Sequence, residues 1–573
     1  MLCIGLNVTG EARSSDRFVD VPQGDWSENY IYRLRELDIT AGRTRSVFGY
    51  NEKTTRAEFV TFLIRASNIE KKQLGKATVF KDVKSYDWFV PYINAGIYAN
   101  IIKQEDYLDG FFKPNHFITR EEMAVMIVRA LGYETLGKQL DKQPSSFEDV
   151  HRYIGHISIA KDFGIINGKS PTRFAPEDYA LRQEAAAMLI RMYDVINHQL
   201  STLNGFYAIH SYHQIDTVTT FNMISFGWSS IGYDEDKDKL VFDTQSPTSA
   251  HPFYMPSGYH EVVEKVVDEG AKRYLSVFAT NGDIIEKDDD KIGTVSYLLR
   301  DEMQREEMTK TVASQVYYPN QENIEIEYDG IVIDFEEIRD TEQDKEHFVA
   351  FLKNVKSYLE PLHKELIVCV HPKREEGEAY YNGYDYKAIG EIADKVILMA
   401  HDYAPSQIRE NEVEIFIGTT PLAPIKDVYT ALKSAIDPKN GIPKEKLLLQ
   451  ICFDTRQWQF EDVKLVQRTA ARPTYDMLAR RMQSEKNNQS ANIHYSNISQ
   501  APRFIFTDEH TGIRNVLWYE DERSIQAKIE LAKMFGIEGI SVWRLGLIPD
   551  IKPKDDQEEA FYLDVMKLLE NSF

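Results

Sequence analysis

A repeat constrains this chain more than any other feature. Three segments open on one four-residue pattern: FVDV at Phe18–Val21, FKDV at Phe80–Val83 and FEDV at Phe147–Val150. Each runs on to a second shared pattern, TRAEFVTFLIRA with Arg56, TREEMAVMIVRAL with Arg120 and LRQEAAAMLIRM with Arg182. The two patterns keep nearly the same separation in all three copies, which chance matching does not produce. Each copy reads as helix, loop, helix. Thr55 and Thr119 stand before Arg-x-Glu and an apolar run, the chemistry of a capping box, with a hydroxyl at the N-cap and a carboxylate three residues on. The third copy has Leu181 at this position and hence a weaker cap. One short helix pair cannot bury its own apolar face, whereas three together can.

On these motifs residues 16–197 resemble the S-layer homology triplet, a cell-wall anchoring module, with repeats at about 16–66, 78–132 and 145–197. TRAE and TREE match its signature closely, LRQE loosely. The resemblance implies an all-α three-repeat bundle whose grooves bind an anionic, pyruvylated secondary cell-wall polymer. Carried over, Arg56, Arg120 and Arg182 are the expected anion contacts. Arginine suits that role because its planar fork pairs with carboxylates bidentately. The plainer alternative is that these arginines only pair with nearby glutamates on a solvated helix face.

From about residue 204 the pattern changes. Eight short apolar runs alternate with amphipathic stretches: GFYAIHS, MISFGW, RYLSVFA, GIVIDFE, LIVCVH, KVILMAH, KLLLQICF and GISVWRL. Continuous apolar strands separated by helices signal a parallel sheet. The expected fold is therefore multidomain, with the helical bundle followed by a (β/α)8 TIM barrel over 204–573 and an insertion at about 453–538. Within the insertion RFIFTDEHTGIRNVLWY reads as a hairpin. Barrel active sites sit at the C-terminal strand ends. Those ends carry Tyr212, Trp228, Asp334, Glu336, His371, His401, Asp402 and Trp543, a polar and aromatic set that suits a sugar cleft.

The sharpest chemical feature is YDGIVIDFEEI, Tyr328–Ile338. Side chains alternate along a strand, so Val332, Asp334 and Glu336 point to one side, which in a barrel is the interior. Two carboxylates two residues apart on an inward face are costly unless they share a proton or bind something. Such a pair raises one pKa, and a carboxyl protonated near neutral pH is what general-acid catalysis needs.

This run closely resembles the catalytic strand of glycoside hydrolase family 18, D-G-x-D-x-D-x-E, with Asp329, Gly330, Asp334 and Glu336 matching. LMAHDY (Leu398–Tyr403) is similar to the sixth-strand M-x-Y-D motif and GISVWRLG to the eighth strand. VLWYEDERS and the closing strand resemble the branch with spore-cortex and peptidoglycan hydrolases. The resemblance implies that Glu336 protonates the glycosidic oxygen. It implies that Asp334 orients the substrate's 2-acetamido group, whose carbonyl attacks the anomeric carbon, the substrate-assisted exception to the two-carboxylate scheme. Trp543 would floor the sugar site and Asp402 would help hold the N-acetyl group. Met399, His401, Tyr212 and Trp228 complete the expected substrate contacts, with core packing the alternative for the last two. Asp329 and Gly330 are expected to be structural. No metal or organic cofactor is implied.

Two positions depart from the motif. Val332 replaces its middle Asp, so Asp334 lacks a carboxylate neighbour with which to exchange a proton. His401 replaces the usual Tyr, and its charge varies near neutral pH. These departures motivate a rival reading, a carbohydrate-binding surface or S-layer protein with an idle barrel. The enzyme reading takes an N-acetylglucosamine-containing glycan, peptidoglycan or chitin-like, as substrate.

The net charge of −23 argues against general nucleic-acid binding. No apolar stretch approaches the 18 residues of a membrane span. Cys3, Cys369 and Cys452 lack zinc spacing. The last two lie in strand-like runs, where a free thiol is expected to pack as a small hydrophobe. The opening MLCIGLNVTGEARSSD shows no complete signal peptide, while the anchoring module implies an exported protein at the cell surface.

Overall fold

The computed structural model describes residues 17–67, 69, 79–107, 109–245, 253–287, 290–319, 325–339, 341–374, 382–408, 420–485, 488–552 and 561–573. The expected repeat starts at 16 and 78, and Cys3, lie outside the described residues. The chain divides into two compact units, Met1–His198 and Gln199–Phe573.

The first unit is helical. Its helices are α1 (Glu28–Glu36), α2 (Arg56–Ala66), α3 (Val90–Tyr98), α4 (Arg120–Ala130), α5 (Glu134–Leu140), α6 (Ile154–Asp162) and α7 (Arg182–Ile196). The Asp of each F-x-D-V turn has one job in all three copies. Asp20 accepts the N–H groups of Phe48, Gly49 and Tyr50; Asp82 those of Phe112 and Lys113; Asp149 those of Phe174 and Ala175. It thus ties the start of each repeat to the loop before its second helix. Both expected capping boxes form, Thr55 with Glu58 and Thr119 with Glu122. In the third copy only the return half survives, with Glu184 accepting the Leu181 N–H at 2.9 Å.

The three second helices close a ring. The N–H of Arg56 donates to His116 O, that of Arg120 to Asp178 O and that of Arg182 to Glu52 O. Each helix start, whose N–H groups lack partners within the helix, is thereby satisfied by a loop of the next repeat. The side chains follow the same rotation: Arg56 pairs with Glu122 at 2.6 Å, Arg120 with Glu184 at 3.4 Å and Arg182 with Glu58 at 3.2 Å. The capping glutamates therefore serve twice, within their own helix and across the repeat boundary.

The second unit is a closed parallel barrel. Its strands are β1 (Thr202–Tyr207), β2 (Met223–Asp234), β3 (Lys272–Thr280), β4 (Gly330–Glu336), β5 (Glu365–Val370), β6 (Lys395–Leu398), β7 (Leu447–Cys452) and β8 (Gly539–Trp543). Each pairs in parallel with the next, and β8 and β1 complete the circle. All eight apolar runs of the sequence are barrel strands. Among its described residues the insertion between β7 and β8 carries a five-stranded antiparallel sheet. The expected hairpin is there, Ala501–Thr507 against Arg514–Trp518.

Inward residues of alternating parity fill the lumen. Phe206, Met223, Tyr274, Val332, Ile367, Cys369, Ile397, Met399 and Leu448 form one buried cluster, and Trp543 packs on it. This cluster is the floor on which the site stands.

Candidate active site

Asp329 and Gly330 hold the N-terminal end of β4. Asp329 accepts the Arg273 N–H at 2.7 Å, pinning β3 to β4. A Cβ on Gly330 would lie 2.1 Å from the Glu365 carbonyl oxygen, so only glycine lets β4 and β5 approach this closely. From there the strand alternates as its sequence dictates. Val332 is buried in the lumen, Asp334 is 5% exposed above it, and Glu336 lies at the mouth, partly open to solvent.

Burial penalises the charge on both acids. The Glu336 carboxyl is pushed up to about 8, first by loss of hydration and then by the negative charge of Asp334. Asp334 rises less, to about 6, because a hydrogen bond from the Cys369 thiol and the charge of His401 oppose its burial. Near neutral pH the outer acid therefore keeps its proton while the inner one is ionised. Asp334 Oδ1 is buried without a hydrogen-bond partner.

His401 follows β6. Its Nε2 lies 2.7 Å from Gln450 Oε1, and its Nδ1 lies 3.1 Å from Asp402 Oδ2. Both contacting atoms are oxygens that can accept, an arrangement that favours the doubly protonated ring. Burial works against the imidazolium, but the Asp402 carboxylate and Gln450 hold its pKa up at about 9. Asp402 is pulled down to about 2: burial resists, and the His401 hydrogen bond and the charges of His401 and Arg456 prevail. His401, Asp402 and Cys452 could converge on a cation, their ligand atoms lying within 4.8 Å of one another. A doubly protonated ring has no lone pair to offer one.

Trp543 is half-buried, its ring 5.2 Å from Phe206 and 6.1 Å from Phe253. The lumen cluster holds Met399 beside it. His371, half-buried after β5, is pushed down to about 3 by loss of hydration and by the charges of His401 and Arg374. Tyr384 donates to Phe335 O at 2.7 Å and packs on His371.

Trp228 and Tyr212 lie apart from this constellation. Trp228 is 1% exposed, stacked on Phe226 at 4.1 Å and edged by Tyr207 and Tyr259. The register shifts between Phe226 and Ser229, and this irregularity breaks the alternation from which an inward Trp228 is read. Tyr212 is exposed and donates to Glu261 at 2.8 Å. Both border a separate cavity of about 390 Å³ with Tyr207, Tyr254 and Tyr259.

In the first unit the three arginines are largely spent on the ring. Arg56 also donates to Phe112 O at 2.6 Å, and Arg120 to Phe174 O and Asn167 O at 2.9 Å. Arg182 reaches Thr40 at 3.3 Å. Their exposures are 8%, 5% and 3%. The glutamate pairing of the plainer reading is thus present, and it is buried rather than solvated. Arg120 still lines a cavity of about 260 Å³ with Trp26, Lys169, Glu184 and Arg191.

Sequence reading passed over three residues of the site. Gln450 hides in the apolar run LLLQICF, Arg456 lies in the insertion, and Cys369 reads as core. A lone polar residue inside a continuous apolar strand is the one signal that Gln450 gives.

The family model described as glycosyl hydrolases family 18 matches residues 290–547, and that of the S-layer homology domain matches 17–60, 79–124 and 146–186. The Cortical fragment-lytic enzyme of Bacillus anthracis is 30% identical over 226 residues, 38% of this chain and 46% of that protein. The Bacillus subtilis (strain 168) protein of that name is 31% identical over 219 residues, again 38% and 46%. The chain thus spans about half the length of these curated relatives. The Surface layer protein of Brevibacillus choshinensis is 35% identical over 134 residues, 23% of this chain and 12% of that one. The crystal structure of the Bacillus cereus spore cortex-lytic enzyme SleL aligns with a TM-score of 0.48 at 21% identity, covering 66% of this chain and 75% of that one. The chain therefore carries three S-layer homology repeats followed by a glycosyl hydrolases family 18 domain.

Proposed function

We propose that the barrel hydrolyses β-1,4 bonds next to N-acetylglucosamine in peptidoglycan or a chitin-like glycan, with the repeats holding the chain at the cell surface. One observation carries this reading: two acids stand on the inward face of β4, Asp334 buried and Glu336 at the mouth, where burial and mutual charge raise the outer carboxyl above the inner one. Glu336 gives its proton to the bridging oxygen as that bond breaks. The acetamido carbonyl oxygen attacks the anomeric carbon from the opposite face, while Asp334 accepts the acetamido N–H and balances the positive ring that forms. Water, deprotonated by the Glu336 carboxylate, opens that ring and restores the original configuration. Trp543 floors the sugar, with Met399 beneath. His401 and Asp402 hold the N-acetyl side, stiffened by Gln450 and Arg456. Trp228 and Tyr212 serve at most a distal subsite in this scheme.

Peptidoglycan is favoured over chitin because the repeats point to a bacterial wall and two relatives are named for lysing cortical fragments. For the repeats we assign the anionic polymer to the cavity lined by Arg120, Lys169 and Arg191, with Arg56 and Arg182 keeping the ring together. The test is release of new reducing ends from purified peptidoglycan and from an N-acetylglucosamine oligosaccharide. The wild type should release them and Glu336→Gln should lose at least about a hundredfold of that rate. Equal release by both, or none by either while binding persists, would favour the idle-barrel reading motivated by Val332 and His401.

A further inference from the structure

Asp334 poses a problem that its own strand does not solve. The inward neighbour below it, Val332, is fully buried and apolar, so no group there can donate to the carboxylate. An ionised acid set on a buried, apolar cluster needs a donor. The adjacent strand supplies one. The β4–β5 register pairs Ile333 with Val368, so the next residues, Asp334 and Cys369, are neighbours. Both belong to the inward parity, Cys369 sitting in the lumen cluster with Val332 and Met399. The register and the shared inward face set the Cys369 thiol beside the Asp334 carboxylate, whose pKa it lowers. Among the described residues, Asp334 Oδ1 is buried without a hydrogen-bond partner.

We propose that Cys369 is a positioning residue for the hydrolytic reaction, its thiol holding the Asp334 carboxylate from β5 in place of the acid missing at 332. The inference rests on the hydrolase reading above. A thiol differs from a carboxylate in one useful respect. Burial and the negative charges of Asp334 and Glu336 raise the Cys369 pKa well above that of a free thiol, so the group is a neutral donor at every working pH. A carboxylate at 332 would donate only when protonated and repel when ionised. With one oxygen fixed by the thiol, Asp334 keeps Oδ1 for an incoming amide N–H. The groups facing Asp334 are Glu336 on its own strand, Cys369 on β5 and His401 beyond β6.

The test uses the full chain with Cys369→Ser, which keeps a donor, and Cys369→Ala and Cys369→Val, which remove it, the latter preserving bulk. Circular dichroism checks folding, and Cys369→Ser serves if the apolar variants fail to fold. The S–H stretching band of Cys369, isolated by difference against Cys369→Ala, should lie at the hydrogen-bonded position and move to the free position in Asp334→Ala. This readout needs no turnover. Where Glu336→Gln abolishes activity, Cys369→Ala and Cys369→Val should lower kcat by about tenfold or more, with KM little changed. The acid limb of their pH profile should rise, because the ionised form of Asp334 has lost its donor. Cys369→Ser should stay near wild type. An S–H band indifferent to Asp334→Ala, or folded Ala and Val variants with wild-type kcat and acid limb, would overturn the proposal. If wild type and Glu336→Gln are equally inert, the hydrolase reading fails, and the band alone then decides whether the thiol holds Asp334.

Discussion

At the scale of the residue, the site is a study in what burial does to charge. Two acids share one lumen, and the one nearer the mouth keeps its proton because burial and the negative charge of the inner one hold it there. This order fixes the pH response. Activity needs Asp334 ionised and Glu336 protonated. It should fall on the acid side as pH drops through about 6 and on the alkaline side as pH rises through about 8. His401 tunes both limbs, since its positive charge lowers both carboxyl pKa values. Replacing it with Gln removes that charge, so both limbs of the kcat/KM profile should move to higher pH. A profile that moved to lower pH, or did not move, would mean that His401 is not charged in the free enzyme.

At the scale of the element, the chemistry depends on how closely strands approach and how helices are capped. Gly330→Ala would drive a methyl group into the Glu365 carbonyl. It should destabilise the barrel by about 1–3 kcal/mol, read as a lower midpoint for the barrel's unfolding transition. In the repeats, Thr119→Ala should cost about 1 kcal/mol, and Leu181→Thr, which completes the third box, should gain a similar amount. Both changes should move the same unfolding transition, in opposite directions. Elements were the scale most legible in the sequence. All eight strands stood out because each is buried on both faces over most of its length and reads as a mainly apolar run, and Thr55 and Thr119 announced their helices. What the sequence hid depends on geometry across strands. Trp228 belongs to β2, but the irregularity after Phe226 turns it into an aromatic stack that alternation does not foresee. Cys369 looks like core until the β4–β5 register sets it beside Asp334. Gln450 meets His401 only because the ends of β6 and β7 converge.

At the scale of the whole molecule, the chain of net charge −23 is assigned to an anionic polymer. Global attraction cannot bring the two together, so a local cluster of cations must. Lys169→Ala with Arg191→Ala should weaken binding to isolated cell walls and leave the fold intact. Arg120→Ala should also disturb the ring, because its guanidinium holds two loop carbonyls and Glu184. Wall binding should decline only modestly with added salt, and a steep decline would indicate diffuse electrostatics instead. The central claim is chemical, and it is read most directly by following the anomer released first from an N-acetylglucosamine oligosaccharide by proton NMR, before mutarotation. Attack by the acetamido group followed by water gives the β-anomer from a β-linkage. The α-anomer as first product, or no product from the wild type, would contradict it.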